Sequence, residues 1–499
     1  MSRMRRLLVS DEFKTLFIIP PLRTVFGEEG AGVPEHPHVG VAYLVAMSRQ
    51  NNIRCEIIDM CLGYTYLQVL EFIEQYKPNL ICITCFSYGH DKAYTLIEKI
   101  RNARFSSNLP IVIGGPHSSA IHSKILEETR ADFAVVGEGE HAIIELINEL
   151  RGPNPCFENI KGLIWNQNSQ IIENKERPYI QELDKLPFPA YDDFEIERYI
   201  CHDDRRLPII TSRGCPYQCN YCSVRLSMGN CFRARSPENM VDEIEYWYKK
   251  GWNKFDFNDD TFTLDLGRAA RICELLKERK LGIRFYLYNG IRANKVDEDL
   301  LKLMKEAGCR FLAYGCESGS KTVLRVIKKG LRVEDVINAV NMTKEVGIKH
   351  AVNFIIGHPT ETYEKAMESI KLAKELKCNF VNFYNLIPYP NTDLFKWIQK
   401  SGNARFLYPV EVYLNKLPYR DITPVFETNE FPAEDRIRAL KQGFDLYERT
   451  VMQFRFGKHA GYLAYLLARK RWIFEKSRRI LMHTKTGSKM YRWITKQSY

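Results

Sequence analysis

A chain of 499 residues is too long for one core and long enough for two or three domains, and with 45% hydrophobic residues all of it can be globular. The net charge of +11 is a property of the tail: Arg449 to Tyr499 carries thirteen Lys or Arg against one acid, Glu475, and the rest carries 59 bases against 60 acids. No apolar run reaches the ~18 residues of a transmembrane helix. The start, Met1 to Val9, resembles a signal peptide, but Asp11, Glu12 and Lys14 interrupt it, so secretion is not expected. None of the fourteen cysteines follows Cys378, and most are scattered through apolar runs such as Ile81-Cys82-Ile83. Such scatter reads as free thiols in a reducing cytoplasm.

Residues 1–150 alternate short apolar runs (Leu16 to Ile19, Cys55 to Ile58, Leu80 to Ile83, Ile111 to Ile113, Phe133 to Val136) with helical patterns such as Val39 to Gln50. This predicts a Rossmann-like, doubly wound parallel sheet, with ligands beyond the carboxyl ends of its strands. Those ends are small and polar: Pro20-Pro21, Ser87-Tyr88-Gly89, Gly114-Gly115-Pro116-His117 and Gly137-Glu138-Gly139-Glu140. Glycines there let a bulky ligand approach the backbone, and would equally serve tight turns. A GxGxxG fingerprint is absent, which argues against a dinucleotide.

Residues 151–200 read as a linker with a hairpin around Leu163 to Ile172, followed by a proline-rich extended crossing. Residues 201–400 return to alternation, with strands expected at 207–211, 254–258, 283–288, 311–315, 350–356 and 380–387. Six strands with intervening helices suit a partial (β/α) barrel, whose site lies at the carboxyl strand ends. Residues 401–499 form a mainly helical region ending in a basic amphipathic helix, in which Gly461 to Phe474 joins bases to aromatics and aliphatics. Such a helix suits an anionic membrane surface or a cover over the barrel with a solvated basic edge; nucleic-acid binding is disfavoured.

Directly after the first barrel strand stands Arg213-Gly214-Cys215-Pro216-Tyr217-Gln218-Cys219-Asn220-Tyr221-Cys222. CxxxCxxC offers three thiolates to one metal centre. Iron–sulfur clusters are usually held by four cysteines, so three leave one iron open. Spacing alone also admits zinc, with Cys231 or His202 nearby as fourth ligand.

With the aromatic Tyr221 before its last cysteine, this motif resembles the radical S-adenosylmethionine (SAM) superfamily. The resemblance implies a [4Fe-4S] cluster on Cys215, Cys219 and Cys222, with SAM on the open iron. Electron transfer from a partner such as flavodoxin or ferredoxin then cleaves SAM to a 5′-deoxyadenosyl radical. Asn258-Asp259-Asp260-Thr261, Asn289-Gly290-Ile291-Arg292, Gly315-Cys316-Glu317-Ser318-Gly319, Gly357-His358-Pro359 and Pro388-Tyr389-Pro390 match the family's later strand ends. With Gly114 to His117 and Val136 to Glu140 upstream, they resemble the branch containing the anaerobic magnesium-protoporphyrin IX monomethyl ester cyclase and cobalamin-dependent radical SAM methylases.

That branch implies cobalamin on Pro21, Ser87, Gly114, Gly115, Pro116, Gly137, Glu138 and Gly139. The DxHxxG pattern that supplies an axial histidine elsewhere is missing, so cobalamin is expected with neither its benzimidazole nor a protein histidine on cobalt; His36, His38, His90 and His117 are the substitutes available. SAM contacts are expected from Tyr221, Asp259, Arg292, Glu317 and Ser318. Asp260 reads as a cap for the helix beginning near Leu266, His358 as a turn residue, and Cys316 as the thiol to test for radical quenching or donation. The implied enzyme is cytoplasmic, with peripheral membrane contact through the tail as an option. It methylates an unactivated carbon of a small or lipid-like metabolite, one SAM methylating the cobalamin and another giving the radical. A radical cyclase or oxidoreductase of the same architecture is the second reading, and a non-catalytic cobalamin sensor the third.

Overall fold

Five apolar runs become the parallel part of the first sheet. β1 (Lys14–Ile19), β2 (Arg54–Asp59), β3 (Leu80–Thr84), β4 (Ile111–Gly114) and β5 (Phe133–Val135) lie in the order β2-β1-β3-β4-β5. Leu16, Ile18, Ile81, Ile83, Ile111 and Ile113 are buried, as strands covered on both faces require. The computed structural model describes residues 13–21, 34–106, 108–168, 170–417 and 421–468, which divide into two compact units at Asp203–Asp204, with Leu226–Gly229 joining the first.

The expected hairpin forms as β6 (Leu163–Gln167) and β7 (Gln170–Glu173), but it is no free linker. β6 pairs antiparallel with β5, so the first sheet has seven strands.

In the second unit, β8 (Arg206–Ile209), β9 (Lys254–Phe257), β10 (Arg284–Ile291), β11 (Cys309–Glu317), β12 (Lys349–Ile356) and β13 (Phe380–Asn385) are parallel neighbours in chain order. This is the partial barrel expected. Phe257 and Phe285 stack at 4.6 Å and Phe311 and Phe380 at 5.5 Å. Each buried ring contributes on the order of 2 kcal/mol. Helices between the strands start where short polar side chains cap them: Asp265 accepts from Arg268 N, Asp297 from Leu300 N and Thr362 from Lys365 N.

β10 and β11 run further than the sequence suggests. Their register shifts between Leu287 and Ile291 and between Gly315 and Glu317, so Gly290 and Gly315 to Glu317 lie within strands. Such irregularities re-aim side chains at a strand end. Gly290 is required there: its φ is +78°, and a Cβ would sit 2.4 Å from Asp259 O.

Helix Ala433–Phe456 covers β13, with Gly443 so close to Phe383 that a Cβ would fall 2.6 Å from its ring. Helix Lys458–Ala468 follows; the basic stretch from Arg469 on lies outside the described residues.

Candidate active site

The cysteine loop leaves the end of β8, and two carboxylates hold its start. Asp259 accepts from Thr211 N at 2.6 Å and Ser212 Oγ at 2.7 Å, and also from Thr211 Oγ1. Both its oxygens are spent on the backbone before the motif, so the structure assigns it anchoring rather than the SAM contact expected. Asp260 accepts from Gly214 N at 3.1 Å, and burial lifts its carboxyl to about 6. It therefore does not cap helix Leu266–Glu278; Asp265 does.

The far side of the loop rests on the segment after helix Lys321–Val326. Asn220 N donates to Ile327 O at 3.2 Å and Leu394 N to Asn220 O at 2.8 Å. Cys219 Sγ lies 3.9 Å from Lys328 O. Arg292, at the end of β10, donates to Lys329 O and, at 3.0 Å, to Gly330 O. The same guanidinium lies 3.5 Å from the centre of the Tyr217 ring. Arg292 was expected to meet SAM; here it clamps the cysteine loop to its neighbour.

Tyr221 packs against Leu324 and Ile327 and lies 5.4 Å from the His358 ring. Burial pushes its hydroxyl well up, with Glu317 and Cys219 adding to the shift. His358 is fully buried, accepts no bond at either ring nitrogen, and is lowered to about 3 by burial with Arg436 and Lys329 nearby. A neutral ring fits the turn role expected for it. Glu361 accepts from Gly357 N and His358 N at 2.6 and 3.0 Å, closing that turn.

Glu317 sits at the register shift of β11 with φ of +69° and accepts from Lys329 Nζ at 2.7 Å. Lys329 was not anticipated. Gly315 makes room for the pair, since a Cβ would meet Glu317 Oε1 at 2.5 Å and Lys329 Nζ at 3.1 Å. Burial depresses the Lys329 ammonium, but Glu317 and Cys219 outweigh it and the net shift is upward. Ser318 is fully buried, accepting from Ser320 N at 3.1 Å and meeting Ser369 Oγ at 3.4 Å; it builds the turn rather than facing SAM. Cys316 is also fully buried, its thiol 3.3 Å from Ser318 O and raised by burial. It lies within the register shift, its thiol turned to a backbone carbonyl and shut off from solvent, which gives no support to a radical-handling role.

All three motif cysteines are free; burial raises Cys215 and takes Cys222 to about 12. Bound metal reverses this, since a coordinating thiol is deprotonated. Three thiols on one loop suit a cluster that keeps one iron open, whereas a closed structural zinc site takes four protein ligands. Cys231 is exposed and bonded to Asn230. The donor set fits a cluster.

In the first unit the small polar strand ends gather at the carboxyl edge of β1, β3, β4 and β5. Pro21 follows β1; Gly114 closes β4, and Gly115, φ +109°, has Cys85 O 2.8 Å from where a Cβ would lie. Pro116 opens the next helix. Gly137, φ +80°, donates to Ser119 Oγ, and Gly139 precedes helix Glu140–Arg151. Glu138 accepts from Ile180 N at 2.7 Å, tying down the following segment rather than facing a ligand. His38 Nδ1 caps helix Val39–Gln50, and its Nε2 lies 3.4 Å from Thr84 Oγ1. His117 uses both nitrogens, at 3.1 Å each, on Ser87 Oγ and Tyr94 OH, and His90 bonds Ser87 O at 2.9 Å. Burial lowers His38 to about 4 and His117 to about 3.

The family model described as the radical SAM superfamily matches residues 209–373, and that of the B12 binding domain matches residues 32–147. An uncharacterized methyltransferase, PH0819, of Pyrococcus horikoshii is 32% identical over 438 residues, 86% of this chain and 91% of that protein. The anaerobic magnesium-protoporphyrin IX monomethyl ester cyclase of Rubrivivax gelatinosus is 27% identical over 89% of this chain and 78% of its own length. Among solved structures, the cobalamin-dependent SAM radical enzyme OxsB, with aqua-cobalamin and SAM bound, superposes with TM-score 0.72 at 17% identity. That superposition covers 96% of this chain and 75% of OxsB, and it shows a shared fold.

Proposed function

Since this chain belongs to the radical SAM superfamily, in the group that also carries a B12 binding domain, we propose that Cys215, Cys219 and Cys222 hold its [4Fe-4S] cluster. The observation that carries this is three unpaired thiols on one loop at the mouth of the parallel strands. When bound, the cluster with SAM supplies a 5′-deoxyadenosyl radical and cobalamin a methyl carrier.

The protein's own groups position and exclude. Asp259 and Asp260 fix the entry to the loop, Asn220 and Arg292 fix its far side, and the rings of Tyr217 and Tyr221 shield it from water. Glu317 is the carboxylate suited to the ammonium of SAM, with Lys329 beside it for an anionic group. Ser87, Gly114, Gly115, Pro116, Gly137 and Gly139, with Pro21 at the edge, form the cobalamin cradle. His38, His90 and His117 are engaged within the fold, so we expect none of these three on cobalt.

The reaction we favour is methylation, as the methyltransferase relative suggests, and the target we favour is an unactivated carbon in a small or lipid-like molecule. The cyclase relative supports ring formation or oxidation as the second reading. A low-potential reductant of flavodoxin or ferredoxin type would supply the electron. No helix among the described residues is long and apolar enough to cross a membrane. Phe456, Tyr462, Leu463 and Leu466 are exposed and suit peripheral contact with anionic lipid, testable by co-sedimentation with such vesicles.

Anaerobic reconstitution with iron and sulfide, then reduction in the presence of SAM, tests the assignment. Wild type should release 5′-deoxyadenosine and Cys215→Ala none; no nucleoside from reconstituted wild type sinks the enzyme reading. A product heavier by one methyl group separates methylation from cyclisation.

A further inference from the structure

One chain of hydrogen bonds in the first unit runs from the surface to the ligand edge. Glu128 accepts from Tyr94 OH at 2.8 Å, Tyr94 OH lies 3.1 Å from His117 Nε2, and His117 Nδ1 lies 3.1 Å from Ser87 Oγ. Ser87, His90 and His117 are buried, and the His90 ring stacks on His117 at 4.5 Å. His117 N also donates to Cys85 O at 3.1 Å, so the loops after β3 and β4 hold the relay rigid.

The direction of the protons follows from the end of the chain. Glu128 is half exposed beside Lys124 and, as a carboxylate, accepts only. Tyr94 spends its one proton on it, leaving oxygen lone pairs for His117. A neutral imidazole has one N–H, and here it must be on Nε2, donating to Tyr94. Nδ1 is then an acceptor, and the Ser87 hydroxyl must donate to it. The low pKa of His117 is in keeping with a neutral ring.

We propose that Glu128, Tyr94 and His117 are positioning residues that hold Ser87 as a hydrogen-bond acceptor toward cobalamin, so that Ser87 selects an N–H or O–H donor on the ligand. The proposal rests on the cobalamin reading above. Corrin side-chain amides and the ribose hydroxyl supply such donors; the free benzimidazole nitrogen, which only accepts, is rejected. The relay shields Ser87 from rotating its proton toward the ligand, an orientation that would set two donors against each other.

Equilibrium binding of cobalamin to the full chain, followed by absorbance, tests it with Ser87→Ala, Tyr94→Phe and the double variant. Ser87→Ala should weaken binding about tenfold, and Tyr94→Phe, which frees His117 to change tautomer, about fivefold. The double variant should bind no worse than Ser87→Ala, because Tyr94 acts only through Ser87. Additive losses, or wild-type affinity in Ser87→Ala, overturn the relay. Nitrogen-15 resonances of labelled wild-type histidines, with His117 assigned through His117→Asn, give a readout independent of variant folding: protonated Nε2 with bare Nδ1 is expected, and the opposite tautomer overturns the proposal. Failure of wild type to bind cobalamin at all, with the expected tautomer present, would overturn the cobalamin reading instead, and with it the relay's purpose.

Discussion

The guanidinium of Arg292 lies 3.5 Å from the centre of the Tyr217 ring while it donates to the carbonyls of Lys329 and Gly330. One side chain at the end of β10 thereby joins the cysteine loop to the segment that carries Lys329. Arg292→Met should lose the stacking and leave the Lys329 carbonyl without its donor, while Gly330 O keeps Asn294 Nδ2 at 3.2 Å, costing about 1–3 kcal/mol of local order. Iron retained after reconstitution should fall by at least half, and Arg292→Lys, lacking the planar fork, should not restore it. Unchanged iron content in Arg292→Met would show the clamp to be dispensable.

Asp259 spends both oxygens on Thr211 and Ser212. Asp259→Ala should therefore destabilise the second unit by about 2–4 kcal/mol, because buried donors lose a charged acceptor. Thermal unfolding of the metal-free protein reads this directly. An undiminished melting temperature, with only SAM affinity affected, would return Asp259 to the SAM contact that its sequence position suggests.

Breaking the Glu317–Lys329 pair from one side leaves an uncompensated, nearly buried charge. Lys329→Met should cost about 3–5 kcal/mol, and adding Glu317→Gln should recover most of it. Denaturant midpoints of the single and double variants check the recovery; a double variant less stable than Lys329→Met contradicts the pairing.

Burial lifts the Glu361 carboxyl from an ordinary 4.5 to about 7. The folded state holds a proton that the unfolded chain has released, so this contribution is complete below about pH 4.5 and disappears as pH rises through 7. Its full size is about 3 kcal/mol. Glu361→Gln keeps an acceptor for Gly357 N and His358 N and should flatten the fall in melting temperature between pH 5 and 7.5, a range set by the two pKa values. An equally steep fall in the variant assigns the pH dependence elsewhere.

Local regularity made both sheets legible. Runs such as Leu80 to Thr84 and His350 to Ile356 are apolar because strands buried on both faces must be, and helix Val39–Gln50 has the bounds its periodicity predicts. The cysteine spacing was equally plain, since a motif that binds within one loop is local by nature. Asp259, Glu138, Ser318 and Cys316 stand in the right strand ends, yet their partners Thr211, Ile180, Ser369 and the Ser318 carbonyl turn them to structural work. Lys329 is twelve residues beyond Glu317, across a helix, and no short motif joins the two.

By itself the sequence determined the family, the two parallel sheets and the three thiols, because all of these are written in spacings shorter than one element and its neighbour. Only the tertiary structure decided which polar side chains at the strand ends remain for a ligand and which are consumed by the fold. A hydrogen bond is a matter of a few tenths of an ångström between residues far apart in the chain. The register shifts that aim Glu317 and make Gly290 indispensable arise between strands, and pairing of strands is not a property of either one alone.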